Sequence, residues 1–136
     1  MSEPLPTVAV VGGTGNLGAA LARRLAAAGR RVLVGSRDPE RARATATQLG
    51  ASVGHGSNAE VAAAADVVIV AVPFASQRGT LQDIAPHVTG KIVVDTTVPL
   101  MPPKVMRVQL PPEGSAAMVA QQVLGPGVRV VSAFHN

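Results

Sequence analysis

The sequence has no cysteine, tryptophan or tyrosine, and its aromatic residues are Phe74 and Phe134. Without thiols there are no disulfides, no Cys-ligated zinc, no iron–sulfur cluster and no thiol nucleophile. The same absence fits a reducing, cytoplasmic setting. Without tyrosine, the Tyr acid assisted by Lys that many short-chain dehydrogenases use is excluded. Two phenylalanines do not make the stacking platform on which single-stranded nucleic acid is held. His55, His87 and His135 lack the close spacing of a metal-ligand pair, so no metal site is expected. Long apolar runs are missing too: the longest, Val67 to Ala75, is short and contains Pro73, and no membrane span is expected. Met1-Ser2-Glu3-Pro4 has neither the basic region nor the apolar stretch of a signal peptide.

What is present is a 136-residue chain that is 47% hydrophobic, with 14 Gly and 11 Pro. That length supports one domain, residues 1–136, with a core that needs no covalent staples. The net charge of +4 is unevenly spread. Residues 23–43 hold Arg23, Arg24, Arg30, Arg31, Arg37, Arg41 and Arg43 against Asp38 and Glu40, a local +5, and the remainder sums to −1. One local arginine cluster suits a small anion better than nucleic acid, which is not expected as a partner.

Apolar β-branched runs alternate with Ala-rich stretches of helical character. Strands are predicted over Thr7–Val11, Arg31–Val34, weakly Ala51–Val53, Val67–Val72, Lys91–Asp95 and Val128–Ala133. Helices are predicted over Asn16–Ala28, Pro39–Leu49, Asn58–Ala65, Ala75–Ala85 and Gly114–Leu124, with a Pro-rich loop between the fifth strand and the last helix. Nearly unbroken Val runs joined by helices imply an α/β fold, a doubly wound parallel sheet of the Rossmann type with strand order 3-2-1-4-5-6.

One motif carries a mechanism. Gly13-Thr14-Gly15-Asn16-Leu17-Gly18 falls between the first strand and first helix. In such a loop Gly13 makes the tight turn, Gly15 lets a pyrophosphate approach the backbone, and Gly18 lets the helix pack on the sheet. The helix then offers unpaired N–H groups and a positive dipole end to the phosphates. The end of the second strand selects the cofactor. Where an NAD site places Asp or Glu, this chain has Gly35-Ser36-Arg37, with Arg41 one helical turn on. A hydroxyl and two guanidiniums suit the 2′-phosphate of NADP, whereas Asp38 beside them leaves NAD open as the alternative.

Four segments resemble the coenzyme F420-dependent NADP reductase family: Val11 to Gly18, Val34-Gly35-Ser36-Arg37, Ala71-Val72-Pro73-Phe74 and Val131-Ser132-Ala133-Phe134-His135. They occur in the family's order over essentially the whole chain. The resemblance implies an enzyme exchanging hydride between NADP(H) and coenzyme F420, a deazaflavin co-substrate. It also implies that Thr14, Ser36 and Arg37 hold the 2′-phosphate, with Arg41 where the family often has a basic residue. His135 is implied to hydrogen-bond the deazaflavin. Family members continue past this His into a helical C-terminal portion that the sequence does not contain. NADPH binding with little deazaflavin turnover as a monomer is therefore expected.

The remaining candidates lie where open parallel sheets bind ligands, beyond the carboxyl ends of the strands. Val72, Pro73 and Phe74 follow the fourth strand, Val98 and Pro99 the fifth, and His135 the sixth. Hydride transfer between two cofactors needs stacked rings and excluded water more than an acid or base, so no side chain is assigned as catalytic. Asp95 is read as satisfying loop backbone, and His55 and His87 as loop residues. An apolar rim also favours a homodimer. Two other readings remain. Gly12-x-x-Gly15-x-x-Gly18 is also the spacing of non-catalytic NADP-sensing modules, and the nucleotide domain of a β-hydroxyacid or pyrroline reductase type of dehydrogenase shares this fold.

Overall fold

A computed structural model describes the backbone of residues 5–96, 100–101, 104–108 and 116–132, and the side chains of 5–96 and 120–131. The order of elements is β1 (Thr7–Val11), α1 (Asn16–Ala27), β2 (Arg31–Ser36), α2 (Pro39–Leu49), β3 (Gly54–Ser57), α3 (Asn58–Ala64) and β4 (Val67–Val70). There follow α4 (Phe74–Ile84), a 3-10 turn (Ala85–His87), β5 (Ile92–Asp95), β6 (Leu100–Met101), β7 (Lys104–Val108), α5 (Ala116–Leu124) and β8 (Arg129–Ser132). Six strands form one sheet in the order β3-β2-β1-β4-β5-β8, and every pairing in it is parallel. Counted within this sheet alone, the order is the expected 3-2-1-4-5-6.

The strand sequences explain why both faces are covered. All five residues of β1 are buried, and Ala9, Val10 and Val11 divide between two cores. Val10 packs with Val32 and Val34 of β2 against Ala22 of α1 and Ala42 and Ala46 of α2. Ala9 and Val11 pack with Val68, Val70 and Val93 against Val61 of α3, Leu81 and Ile84 of α4, and Leu124 of α5. Alternate side chains of a strand point to opposite faces, so a Val-rich strand feeds two helical layers at once. Fully burying one such Val is worth about 1.5–3 kcal/mol relative to leaving it exposed.

Several predicted elements differ from the structure, among them the second strand, which runs on to Ser36 instead of ending at Val34. The third strand is Gly54–Ser57 rather than Ala51–Val53, and His55 lies on it. Gly54 and Gly56 supply no side chain to reveal the pattern, and the strand is held by parallel pairing of Leu33 to Ser36 with Gly54 to Ser57. The fourth strand stops at Val70: the Ala71 N–H still donates to the Val11 carbonyl oxygen at 2.9 Å, and Val72 then lies against the glycine loop, where a Cβ on Gly12 would come 2.6 Å from Val72 Cγ1. The Pro-rich segment contains an antiparallel ribbon, with Leu100 opposite Val108 and Met101 opposite Lys104. Among the described residues no helix is long and apolar enough to cross a membrane.

Candidate functional site

β1 lies between β2 and β4, so the strand order reverses there and a crevice opens beyond the carboxyl ends of β1 and β4. A cavity of about 390 Å³ occupies it, within the usual range for small-molecule sites. Thr14, Gly15, Ser36, Arg37, Arg41, Val72 and Pro73 border it, all named by the sequence. Gly12, Asp38, Asn58, Ala71, Ser76 and Thr80 complete the lining. Gly13, Asn16, Leu17, Gly18 and Phe74 are not in the wall. Val98, Pro99 and His135 lie outside the described residues.

The glycine loop divides its tasks differently from the motif's usual assignment. The left-handed residue is Gly12, at φ 76°, and not Gly13. Gly13 is required by packing: a Cβ there would sit 2.8 Å from the Val10 carbonyl oxygen and 2.9 Å from Val34 Cγ1. Gly18 is the close-packing glycine, since its Cβ would come within 2.5 Å of the Gly12 carbonyl oxygen. At Gly15 a Cβ would meet only the Gly12 carbonyl oxygen, at an ordinary 3.6 Å. Neither packing nor dihedral angle demands a glycine at this position, so the space above Gly15 is free on the cavity side. Gly15 is also the N-cap of α1 and contributes no capping side chain, and the first turn contains no acid. The leading N–H groups of the helix, those of Asn16, Leu17 and Gly18, therefore have no side-chain cap.

The loop is anchored from two directions. Gly12 N–H and Gly13 N–H both donate to the Gly35 carbonyl oxygen, at 3.1 and 2.9 Å. Gly12 N–H also reaches Asn58 Oδ1 at 3.3 Å, a contact that spans 46 residues of sequence.

At the end of β2, Ser36 is buried and its Oγ accepts the Asp38 N–H at 3.1 Å. Its own O–H has no acceptor among the described residues. Arg37 and Arg41 are exposed and have no carboxylate partner among those residues. Asp38 is committed elsewhere: it is the N-cap of α2, its Oδ1 accepting the Glu40 N–H at 3.0 Å. This end of the cavity thus combines two unpaired guanidiniums, a free hydroxyl and a carboxylate spent on a helix.

Asp95 is fully buried and takes a 2.8 Å hydrogen bond from Gln77 Nε2 of α4. It therefore has a side-chain partner rather than loop backbone alone. Lys91, at the opposite end of the sheet, donates to the carbonyl oxygens of Ala62 and Ala63 at 2.8 and 2.9 Å, closing the C-terminal end of α3. A larger hollow of about 740 Å³ beside Lys91 and Arg129 also includes Gln121, but the Gln121 amide is spent on the Gly125 and Val128 carbonyls. No group of three His, Cys, Asp or Glu among the described residues could hold a metal ion.

Sequence reasoning missed Asn58, Ser76 and Thr80. The signal for the first was a Ser57-x-x-Glu60 capping box, which sets Asn58 at the start of a helix. Ser76 and Thr80, four apart, share one face of α4.

A doubly wound parallel sheet with a glycine loop after its first strand and a cavity at the strand-order reversal defines the Rossmann class of α/β folds. The family model described as NADP oxidoreductase, coenzyme F420-dependent, matches residues 7–99, and the chain belongs to that family. It is 40% identical to the F420-dependent NADP reductase of Methanothermobacter thermautotrophicus over 95% of this chain and 60% of that protein. Its identity to the F420-dependent NADP reductase of Methanocaldococcus jannaschii is 36%, over 95% of this chain and 62% of that protein. A solved structure from Arthrobacter sp. FB24, provisionally named an F420-dependent NADP reductase, superposes with a TM-score of 0.80 at 30% identity, covering 93% of this chain and 61% of that one. The chain thus spans about three fifths of the length of the relatives it matches.

Proposed function

We infer that residues 1–136 form the NADP(H)-binding domain of an oxidoreductase that exchanges a hydride between NADP(H) and the deazaflavin coenzyme F420. The observation that carries this reading is the end of β2. There Ser36, Arg37 and Arg41 present donors and positive charge to a 2′-phosphate, while Asp38, the residue that would favour NAD, is used by α2. Gly15 supplies the fit for the pyrophosphate, since the protein leaves open the volume that any side chain would fill. Thr14 and the uncapped start of α1 face the same phosphates, with Asn16, Leu17 and Gly18 giving the backbone donors. Gly13 keeps the loop pressed on β2.

The two cofactors supply the redox chemistry. This chain binds, orients and excludes water, and no side chain is required as acid or base. Val72 and Pro73 form the apolar wall on the β4 side. Phe74, Val98, Pro99 and His135 extend that rim in this reading, and pairing of two copies covers it. The lack of cysteine supports a reducing, cytoplasmic location.

The test is the absorbance of oxidised deazaflavin mixed with NADPH, followed over a range of protein concentrations. The expected result is NADPH binding at every concentration, with turnover that is weak at low concentration and rises as copies associate. NADPH binding with no turnover at any concentration favours the non-catalytic sensing module. Failure to bind NADPH overturns the reading as a whole.

A further inference from the structure

Among the described residues, the Asn58 side-chain amide makes one of the four hydrogen bonds open to it. The residue is 3% exposed, yet it borders the main cavity and also an adjoining hollow of about 530 Å³ that shares Ser36, Arg37, Ser76 and Thr80 with it. Its Oδ1 accepts the Gly12 N–H at 3.3 Å. This contact is the longer arm of an N–H that also donates to the Gly35 carbonyl oxygen at 3.1 Å, and it is made with the amide oxygen turned to the loop. The Nδ2 group, which carries two donors, has no acceptor among the described residues. A buried donor left unmade is costly, and such groups are normally paired. The capping box of α3 does not use it either, since Ser57 and Glu60 pair with each other.

We propose that Asn58 Nδ2 is a ligand-binding donor, given to an acceptor on the adenosine half of the dinucleotide, and that the Gly12 contact aims it. The inference rests on the reading of the cavity as an NADP(H) site. The adenosine half follows from the neighbours. Asn58 packs under Gly35, where an added Cβ would lie 2.9 Å from Asn58 Oδ1, and Gly35 directly precedes the Ser36-Arg37 pair. The ribose oxygens and purine ring nitrogens of that half are acceptors without a charge, which a neutral amide matches. Asn58 would thereby link two parts of the site: one end of its amide holds the glycine loop and the other end reads the ligand.

The experiment uses protein labelled with 15N at asparagine, with the side-chain amide of Asn58 assigned by its absence in Asn58→Asp. Adenosine 2′,5′-bisphosphate is titrated in as the probe, and the backbone amides of Ser36 and Arg37, followed in uniformly labelled protein, report that it has bound. The expected result is that an Asn58 Nδ2 proton moves downfield and exchanges more slowly with solvent as the site fills. In Asn58→Asp, which keeps an acceptor for Gly12 but loses the donor, affinity for the probe is expected to fall about tenfold or more. If Ser36 and Arg37 respond while the Asn58 amide does not, the inference is overturned and the NADP(H) reading stands. If neither responds to the probe or to NADPH, both fail together. The Asn58 amide is also assigned through bonds from its own backbone amide in uniformly 13C,15N-labelled wild type, so the wild-type titration decides the matter even if the variant does not fold.

Discussion

α1, α2, α3 and α4 each begin at the carboxyl edge of the sheet, and they begin in two different ways. α2 and α3 close their own N-termini. Asp38 accepts the Glu40 N–H at 3.0 Å, and Ser57 and Glu60 exchange reciprocal bonds of 3.0 and 3.1 Å. Both helices also have an acid in the first turn. α1 and α4 start at Gly15 and Pro73, with no side-chain cap and no acid in the first turn. The two bare ends flank the point where the strand order reverses, and Gly15 and Pro73 both border the cavity. Unsatisfied N–H groups at a helix end are met by side chains, water or ligand. The contrast therefore separates ends closed by their own side chains from ends left open toward the cavity.

The largest effect is expected at Gly18. A Cβ there meets backbone atoms, the Gly12 oxygen at 2.5 Å and the Gly13 Cα at 2.8 Å, neither of which can step aside. Gly18→Ala should cost about 3 kcal/mol in denaturant unfolding. Stability equal to that of the wild type would mean that the close packing of α1 on the loop is not needed.

Next comes Arg37→Ala, which on the proposed reading removes a charge-assisted contact to the 2′-phosphate worth about 1.5–3 kcal/mol. NADPH should weaken about 10- to 100-fold in calorimetry while NADH changes little. Equal losses for the two cofactors would make Arg37 a structural residue.

A smaller effect is expected for Asp38→Ala: about 1 kcal/mol of stability, as for loss of a helix cap, with NADPH affinity undiminished. A collapse of NADH affinity instead would show this carboxylate holding a ribose.

The smallest effect concerns Glu60. Its carboxylate is held below the ordinary range, chiefly by the backbone N–H of Ser57 and then by the Ser57 side chain. A lowered folded-state value means that the contribution is present above the usual carboxylate range and is lost as pH falls through the lowered value. The small stability difference between wild type and Glu60→Gln should therefore shrink on acidification, as followed by thermal melts. A gap that widens would contradict the capping box.

The sequence exposed the sheet well, because Val8 to Val11, Val32, Val34 and Val68 to Val70 are buried and the composition of these runs says so. It exposed β3 poorly, since a strand of Gly54, His55, Gly56 and Ser57 is defined by its neighbour and not by its side chains. The ribbon of β6 and β7 was hidden by a segment rich in proline. Along the cavity lining, Thr14, Gly15, Arg37 and Arg41 were readable because each follows a strand end at a short interval, and Ser36 because it ends β2. Asn58 was not, because its partner Gly12 is 46 positions away and the pair exists only once β2 and α3 are packed together. Gly12 took the left-handed turn expected of Gly13, since with three glycines in four residues the spacing alone leaves the turn unassigned.

The measurement that bears most directly on the bare end of α1 is a calorimetric titration of NADPH and NADH into the wild type and Gly15→Ala, with melting temperatures recorded for both proteins. A Cβ at Gly15 has room within the protein, so the melting temperature should be nearly unchanged. The wild type should bind NADPH more tightly than NADH, and the variant should lose at least about tenfold in affinity for both. A Gly15→Ala protein that binds NADPH as tightly as the wild type, or a wild type that binds neither nucleotide, would contradict the account.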